Sequence, residues 1–388
     1  MEAQITHGSV IRAVLDYIYI ALKGEGIITI GDAPVQSCNF EETVKIAGLD
    51  KVIDYYNSNT EMKIKLVDFR KYAGYPRKSG VIERIALPGD PEGYTLVDLG
   101  EFSEFSSMDK DWKRFYVTNY DSNEMQRYHN DNFQGYLIAN SILQADVIIN
   151  LPKLKTHRKA GMTGALKNIV GIVGSKDCLP HHRVGSQEEG GDEYFHRDSR
   201  KSMNSQFQKV RDRTKDPFVG MLARLGEILI RMTQEIVPAL DPYTEGSWYG
   251  NETIPRTIVD LNKILFFADK RGVLQNSRQR KSFTVIDAII AGEKEGPLEP
   301  SPKAIGTVIA GENPVAVDLA CSQIMGFDYQ KIPTLTYALS PKKISIFRDS
   351  IDKIQVRGDT DININEVFQY YGYRFCPTSG WRGHIEYG

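Results

Sequence analysis

Between Asp146 and Gly174 the chain reads DVIINLPKLKTHRKAGMTGALKNIVGIVG. From Leu151 to Lys176 it carries six basic residues (Lys153, Lys155, Arg158, Lys159, Lys167 and Lys176) and no acidic one. Lys155 and His157 stand two apart after an apolar run, so an extended backbone points them the same way. A histidine titrating near neutrality beside a lysine suits proton transfer on an anion whose carboxylate or phosphate the lysine orients. Thr163 is placed to cap a helix beginning at Gly164, with its amides free for a ligand. Lys167 then falls in the first helical turn, where a cation opposes the helix dipole by roughly 0.3–1 kcal/mol. An anion bound at that terminus would offset the cost. These residues supply the candidate catalytic set, His157, Lys155 and Lys167, and candidate binding residues Lys153, Thr163, Gly164 and Asn168.

Spacing narrows the chemistry. A Walker A loop needs four residues between its glycines and a Lys-Ser/Thr after the second, whereas two residues separate Gly161 from Gly164 and Lys167 follows three later. The stretch is not G-x-G-x-x-G either, so ATP hydrolysis and ordinary dinucleotide redox are disfavoured. A second cluster, His181, His182 and Asp192 with Asp177 and Glu193 nearby, has ligand types suited to a divalent metal. Its spacing matches no defined metal motif, and a substrate-contacting lid loop is the competing reading.

The basic stretch needs a strand, a loop and a helix to position it. Val147–Leu151 is the expected strand, and Leu166, Ile169, Val170 and Val173 form the apolar stripe of the helix after the loop. Two other expected strands end on acidic residues that would face the same ligand: Ile27–Ile30 runs into Asp32, and Thr284–Ile290 leads to Glu295. Helices are expected over about 8–23, 39–47, 136–145, 218–236, 257–267 and from Asn313 to Gly326. Val81–Leu87 and Tyr94–Leu99 flank Pro-Gly-Asp-Pro-Glu-Gly and read as a β-hairpin. The weakly patterned residues from Gly100 to Phe133 read as a surface excursion. The expected fold is α/β: a mainly parallel twisted sheet with helices on both faces, the β-hairpin excursion and an inserted subdomain. The domain reading is 1–174 as a first α/β part, 175–250 as the insertion and 251–388 as completion. Opening such a chain on a helix suggests that a first strand lies upstream.

Formal net charge is −2, so the basic loop is a local feature and general nucleic-acid binding is disfavoured. No apolar run is long enough for a transmembrane span. The four cysteines (Cys38, Cys178, Cys321 and Cys376) include no C-x-x-C pair, so the chain has no iron–sulfur cluster motif. The compartment read from this is reducing and cytoplasmic.

The phrases IINLPKLKTH (148–157), GMTGALKNIVG (161–171) and GEKEGPLEPSPKAIGTVIAGENPVAVDLACSQIMGF (292–327) closely resemble the domain-of-unknown-function family 362, an uncharacterised α/β family. VIRAVLDYI and GDAPVQSC resemble its N-terminal region. Many members carry a cysteine-rich ferredoxin module that is missing here, which implies a separate iron–sulfur protein as a partner. His157, the Gly161–Gly164 turn and Lys167 also resemble, more weakly, the loop of the nickel-pincer lactate racemases. That resemblance implies a nucleotide-derived cofactor. Three function classes stay open: an enzyme binding a small anionic substrate or cofactor with racemase-, isomerase- or lyase-like proton transfer; a non-catalytic accessory protein; and a metal-dependent hydrolase. A homodimer is the other partner expectation.

Overall fold

The computed structural model describes residues 2–106, 108, 112–340 and 343–388. Its organising element is a long antiparallel hairpin, Lys281–Glu295 with Glu299–Gly311. Along the free edge of the first strand run Val147–Asn150 and Lys153–His157, end to end and both parallel to it. Pro152 separates the two because it has no N–H for the ladder. Lys153–His157 then turns back antiparallel onto Gly161–Thr163, which completes a mixed five-stranded sheet.

Helix Thr253–Phe267 has nearly every residue buried, and helix Pro314–Met325 joins the same core. The second helix starts as its sequence dictates. Asn313 Oδ1 accepts from Val315 N at 3.0 Å, Pro314 occupies the first turn, and Gly326 closes it in the left-handed conformation. A smaller parallel pair, Ile28–Asp32 with Ile64–Asp68, carries helices Gly8–Leu22, Phe40–Ala47 and Leu49–Asn59 around a core of Ile11, Leu15, Val44, Ile53, Tyr56 and Ile64. The carboxyl end of this pair is tied to the basic stretch. Ala33 N donates to Gly171 O at 2.8 Å, and Lys71 N donates to Gly174 O at 2.9 Å.

Several pairings differ from the pattern-based expectation. The β-hairpin forms between Tyr72–Pro76 and Ile82–Ala86, while Tyr94–Asp98 pairs with Phe133–Ala139. The helix expected from Tyr136 begins only at Asn140, because Tyr136 and Ile138 share one strand face and are both fully buried. The 100–133 stretch packs its own small core from Phe105, Trp112, Phe115, Val117 and Met125. Within 175–250 a second helix, Ser199–Arg213, lies beside Pro217–Ile236. Its strongly polar sequence gives almost no apolar stripe, which hides it from pattern reading.

Lys153 and Asp287 sit in register across the sheet and form a buried ion pair, Nζ to Oδ2 2.6 Å. Asp287 also accepts from His7 N at 2.9 Å, which brings in the N-terminal segment. Breaking a buried pair from one side leaves an uncompensated charge. Lys153→Met is therefore expected to cost about 3–5 kcal/mol in urea denaturation. Lys153→Met/Asp287→Leu should recover part of that loss.

Candidate functional site

The turn that carries Lys167 is held from three sides. The helix Ala165–Asn168 is a single turn continued by the 3-10 segment Ile169–Ile172, and Gly164 rather than Thr163 stands at its cap. Asp318, from helix Pro314–Met325, accepts from Ala165 N at 2.5 Å and Leu166 N at 2.9 Å. The place expected for a ligand anion at this terminus is thus taken by an internal carboxyl group, whose pKa burial raises to about 7 against the pull of the two amides. Gly164 permits the approach, since a Cβ there would lie 2.1 Å from Asp318 Oδ1. Asn150 Nδ2 donates to Ala165 O, Asn262 Nδ2 donates to Leu166 O, and Asn168 Nδ2 donates to Asn150 Oδ1. Asn168 is therefore part of the clamp, and Thr163 Oγ1 is buried with no partner among the described residues. Leu166, Ile169, Val170 and Val173 are buried as their spacing predicts.

Lys167 emerges from this clamp into a cluster of charges. Its neighbours in electrostatic reach are Lys176, Lys155 and Asp32. No hydrogen bond or ion pair engages Lys167 Nζ among the described residues. Burial lowers the Lys167 pKa to about 7, helped by Lys176 and Lys155 and opposed by Asp32. Lys155 and Lys176 are both brought down to about 8, chiefly by burial, with Asp32 working against the shift. Lys155 Nζ donates to Gln4 O and Lys176 Nζ to Val170 O at 3.0 Å. Asp32 keeps open surface, yet desolvation raises its pKa, with Lys176 and Lys155 working against the shift. It packs against Gly171, where a Cβ would lie 2.0 Å from Asp32 Oδ1. Three lysines thus lie in electrostatic reach of Asp32, and since the neighbouring Asp68 is paired with Arg70 the cluster has a surplus of positive charge when all are ionised.

The histidines have fixed roles. His157 Nδ1 accepts from Lys159 N at 3.1 Å and Ala160 N at 3.2 Å, which leaves Nε2 to carry the proton. Burial first, then Lys167 and Lys155, hold its pKa well below the ordinary value. His157 is therefore a neutral hydrogen-bond donor, and the expected titration near neutrality is not its property. His181 is the reverse tautomer: Nδ1–H donates to Leu179 O at 2.8 Å and leaves the Nε2 lone pair. Burial brings its pKa to about 3, and both Lys159 and Lys167 contribute.

Other expected site residues are committed elsewhere. Lys153 is committed to Asp287. Glu295 accepts from Ser379 N at 2.9 Å and pins the C-terminal tail. Asp192 caps the start of helix Thr253–Phe267, accepting from Thr253 N at 2.9 Å and Thr253 Oγ1 at 2.6 Å. His182 is fully buried, edge-on to Tyr116, with neither ring nitrogen partnered among the described residues. Among the described residues no group of three or more His, Cys, Asp or Glu is placed to hold a metal ion, so His181, His182 and Asp192 do not form a ligand set. Lys176 and His181 are the additions that sequence reading missed as partners of Lys167; the lack of any acidic residue from 151 to 176 was the available signal for Lys176. A separate surface depression is lined by Arg278, Arg348, Glu312 and Asp349, whose charges balance, so it offers an anion nothing.

Fold and site together define an α/β protein with three lysines in electrostatic reach of Asp32, at the carboxyl end of a parallel strand. The chain belongs to the family described as domain of unknown function (DUF362), which matches residues 108–323. It is similar to the thylakoid-associated protein sll1697 of a Synechocystis species, 23% identical over 205 residues. That match covers 53% of this chain and 40% of the relative. No solved structure matches the chain.

Removing the internal cap should loosen the turn beneath Lys167. Asp318→Ala leaves two buried N–H groups unpaired, and the expected loss is about 1–3 kcal/mol in chemical denaturation. Hydrogen exchange at Ala165 and Leu166 should accelerate in parallel. Unchanged protection at both amides would show that the carboxylate does not hold the turn.

Proposed function

We propose that the protein binds a small carboxylate or phosphate anion among Lys155, Lys167 and Lys176 and that Lys167 moves a proton on it. The observation that carries this reading is an unpartnered Lys167 whose pKa lies at about 7 beside two further lysines. An amine poised near neutrality can take and return a proton under ordinary conditions. Lys155 and Lys176, which stay charged to higher pH, hold the anionic group. The His157 Nε2–H donates to negative charge that develops on the substrate. Proton transfer passes from His157, where the residue types first placed it, to Lys167. The reaction class is proton abstraction and return next to an acidic group, as in racemases, isomerases and lyases. A cytoplasmic setting belongs to the same reading, supported by four free cysteines; no helix among the described residues is long and apolar enough to cross a membrane.

Two pH effects follow. Binding needs charged lysines, so phosphate affinity in calorimetry should be high below pH 7 and fall as pH rises through about 8. Binding near pH 7.5 should draw protons from the buffer, seen as a buffer-dependent heat, because the anion raises the lysine pKa values. Turnover needs Lys167 neutral, so kcat/KM should rise through about 7 and fall through about 8. The direct test of catalysis is α-proton exchange of small carboxylates in deuterated water, followed by NMR. Lys167→Met should abolish exchange, while Lys155→Met should mainly raise KM. Exchange that survives Lys167→Met would end the catalytic reading, and phosphate binding indifferent to all three lysines would end the binding reading.

A further inference from the structure

The helix Pro217–Ile236 is amphipathic in an unusual sense. It starts on a firm cap, with Asp216 Oδ1 accepting from Phe218 N at 2.8 Å and Pro217 in the first turn. Gly220, Ala223, Glu227 and Ile230 face the protein, and Arg211 on the neighbouring helix pairs with Glu227 at 2.7 Å. The opposite face is apolar and open. Phe218, Leu222, Leu225, Leu229, Met232 and Ile236 recur at alternating intervals of four and three, and every one is exposed, from 48% at Leu225 to 80% at Ile236. Met221 and Ile228 widen the stripe and are also exposed.

Three heptads of apolar seam, with the wet side facing out, are what one helix presents to another. The size fits a stable contact: eight such side chains offer roughly 800 Å² per copy, the amount that one side of a standard interface buries. Monomeric proteins seldom leave a contiguous patch that large uncovered. We infer that the face is covered by the same face of a second copy of this chain, with the two helices antiparallel about a two-fold axis near residue 227.

The seam is self-complementary under that axis, as a two-fold contact requires. Phe218 of one copy meets Ile236 of the other, Leu222 meets Met232, and Leu225 meets Leu229. Ile228 meets its own counterpart on one flank, while Gly226 on the other flank is packed against Phe207 of the neighbouring helix, where a Cβ would lie 2.6 Å from the ring. At the rim Glu235 of one copy falls beside Met221 and Arg224 of the other, an opposite-charge pair repeated by symmetry; Arg224 Nη1 already donates to Lys78 O at 2.9 Å, which holds it in place. A face laid on lipid would instead be flanked by several lysines and arginines. Here the helix carries two basic residues, Arg224 and Arg231, and its flanks are otherwise Met221, Ile228 and Glu235 on one side and Val219 and Thr233 on the other.

The test is sedimentation equilibrium of the full chain at about 10 μM, where an interface of this size is populated. The expected mass is twice 43.8 kDa. Leu225→Glu/Leu229→Glu, both on the open face, should be monomeric with unchanged far-ultraviolet circular dichroism, the dissociation constant rising by about 100-fold or more. Arg224→Glu should weaken the dimer and Arg224→Glu/Glu235→Arg should restore it, a readout that depends on the antiparallel register. A monomeric wild type overturns the inference, as does a wild-type monomer that floats with anionic phospholipid vesicles. A dimer that persists with both glutamates in place also overturns it, because the contact then lies elsewhere.

Discussion

A single buried carboxylate organises the site. Asp318 closes the amide end of the Ala165–Asn168 turn, and that capture decides what the turn can do. A free helix terminus would invite an external anion, and the basic residues around it would read as a phosphate loop. With Asp318 in place the terminus is satisfied from inside. The lysine on the same turn is left among Lys155, Lys176 and Asp32. The proposed anion site is built from side chains and not from backbone amides.

That arrangement explains why a lysine is tolerated in the first turn of a helical segment. The dipole penalty falls on a single short turn whose positive end already faces a carboxylate. What remains is desolvation among like charges, which depresses Lys167, Lys155 and Lys176 together. The Lys153–Asp287 pair and the ties from Ala33 to Gly171 and Lys71 to Gly174 keep the two sheets in the relation that brings the lysines near Asp32. The histidines have tautomers fixed by backbone groups, which leaves a proton on Nε2 of His157 and a lone pair on Nε2 of His181.

Much of the frame could be read from residue order. The strand before the basic loop, the apolar stripe after it, Asp32 at a strand end and the Asn313-Pro314 helix start all follow from short-range rules of burial and capping. What escaped lies at long range. Asp318 reaches its amides across about 150 positions, and no local pattern distinguishes a capping aspartate from one in an exposed helix. Lys176 and His181 join Lys167 only because the 3-10 segment after it folds back under Asp32. The partner of Tyr94–Asp98 was misread because a Pro-Gly-rich connection suggests a local turn, whereas the buried face of Phe133–Ala139 decided the pairing. Asp192 looked like a ligand by type, and its actual task as a cap shows only in the folded chain.

The proposed chemistry depends on Lys167 being an unpaired amine held near neutrality until an anion arrives. Carbon-13 NMR of the lysine side chains, with Lys167→Met used for assignment, measures this directly. Lys167 should titrate at about 7 in the free protein, with Lys155 and Lys176 at about 8. All three values should rise when phosphate is added. Lysines that titrate near the ordinary value of about 10.4 and ignore phosphate would contradict the account.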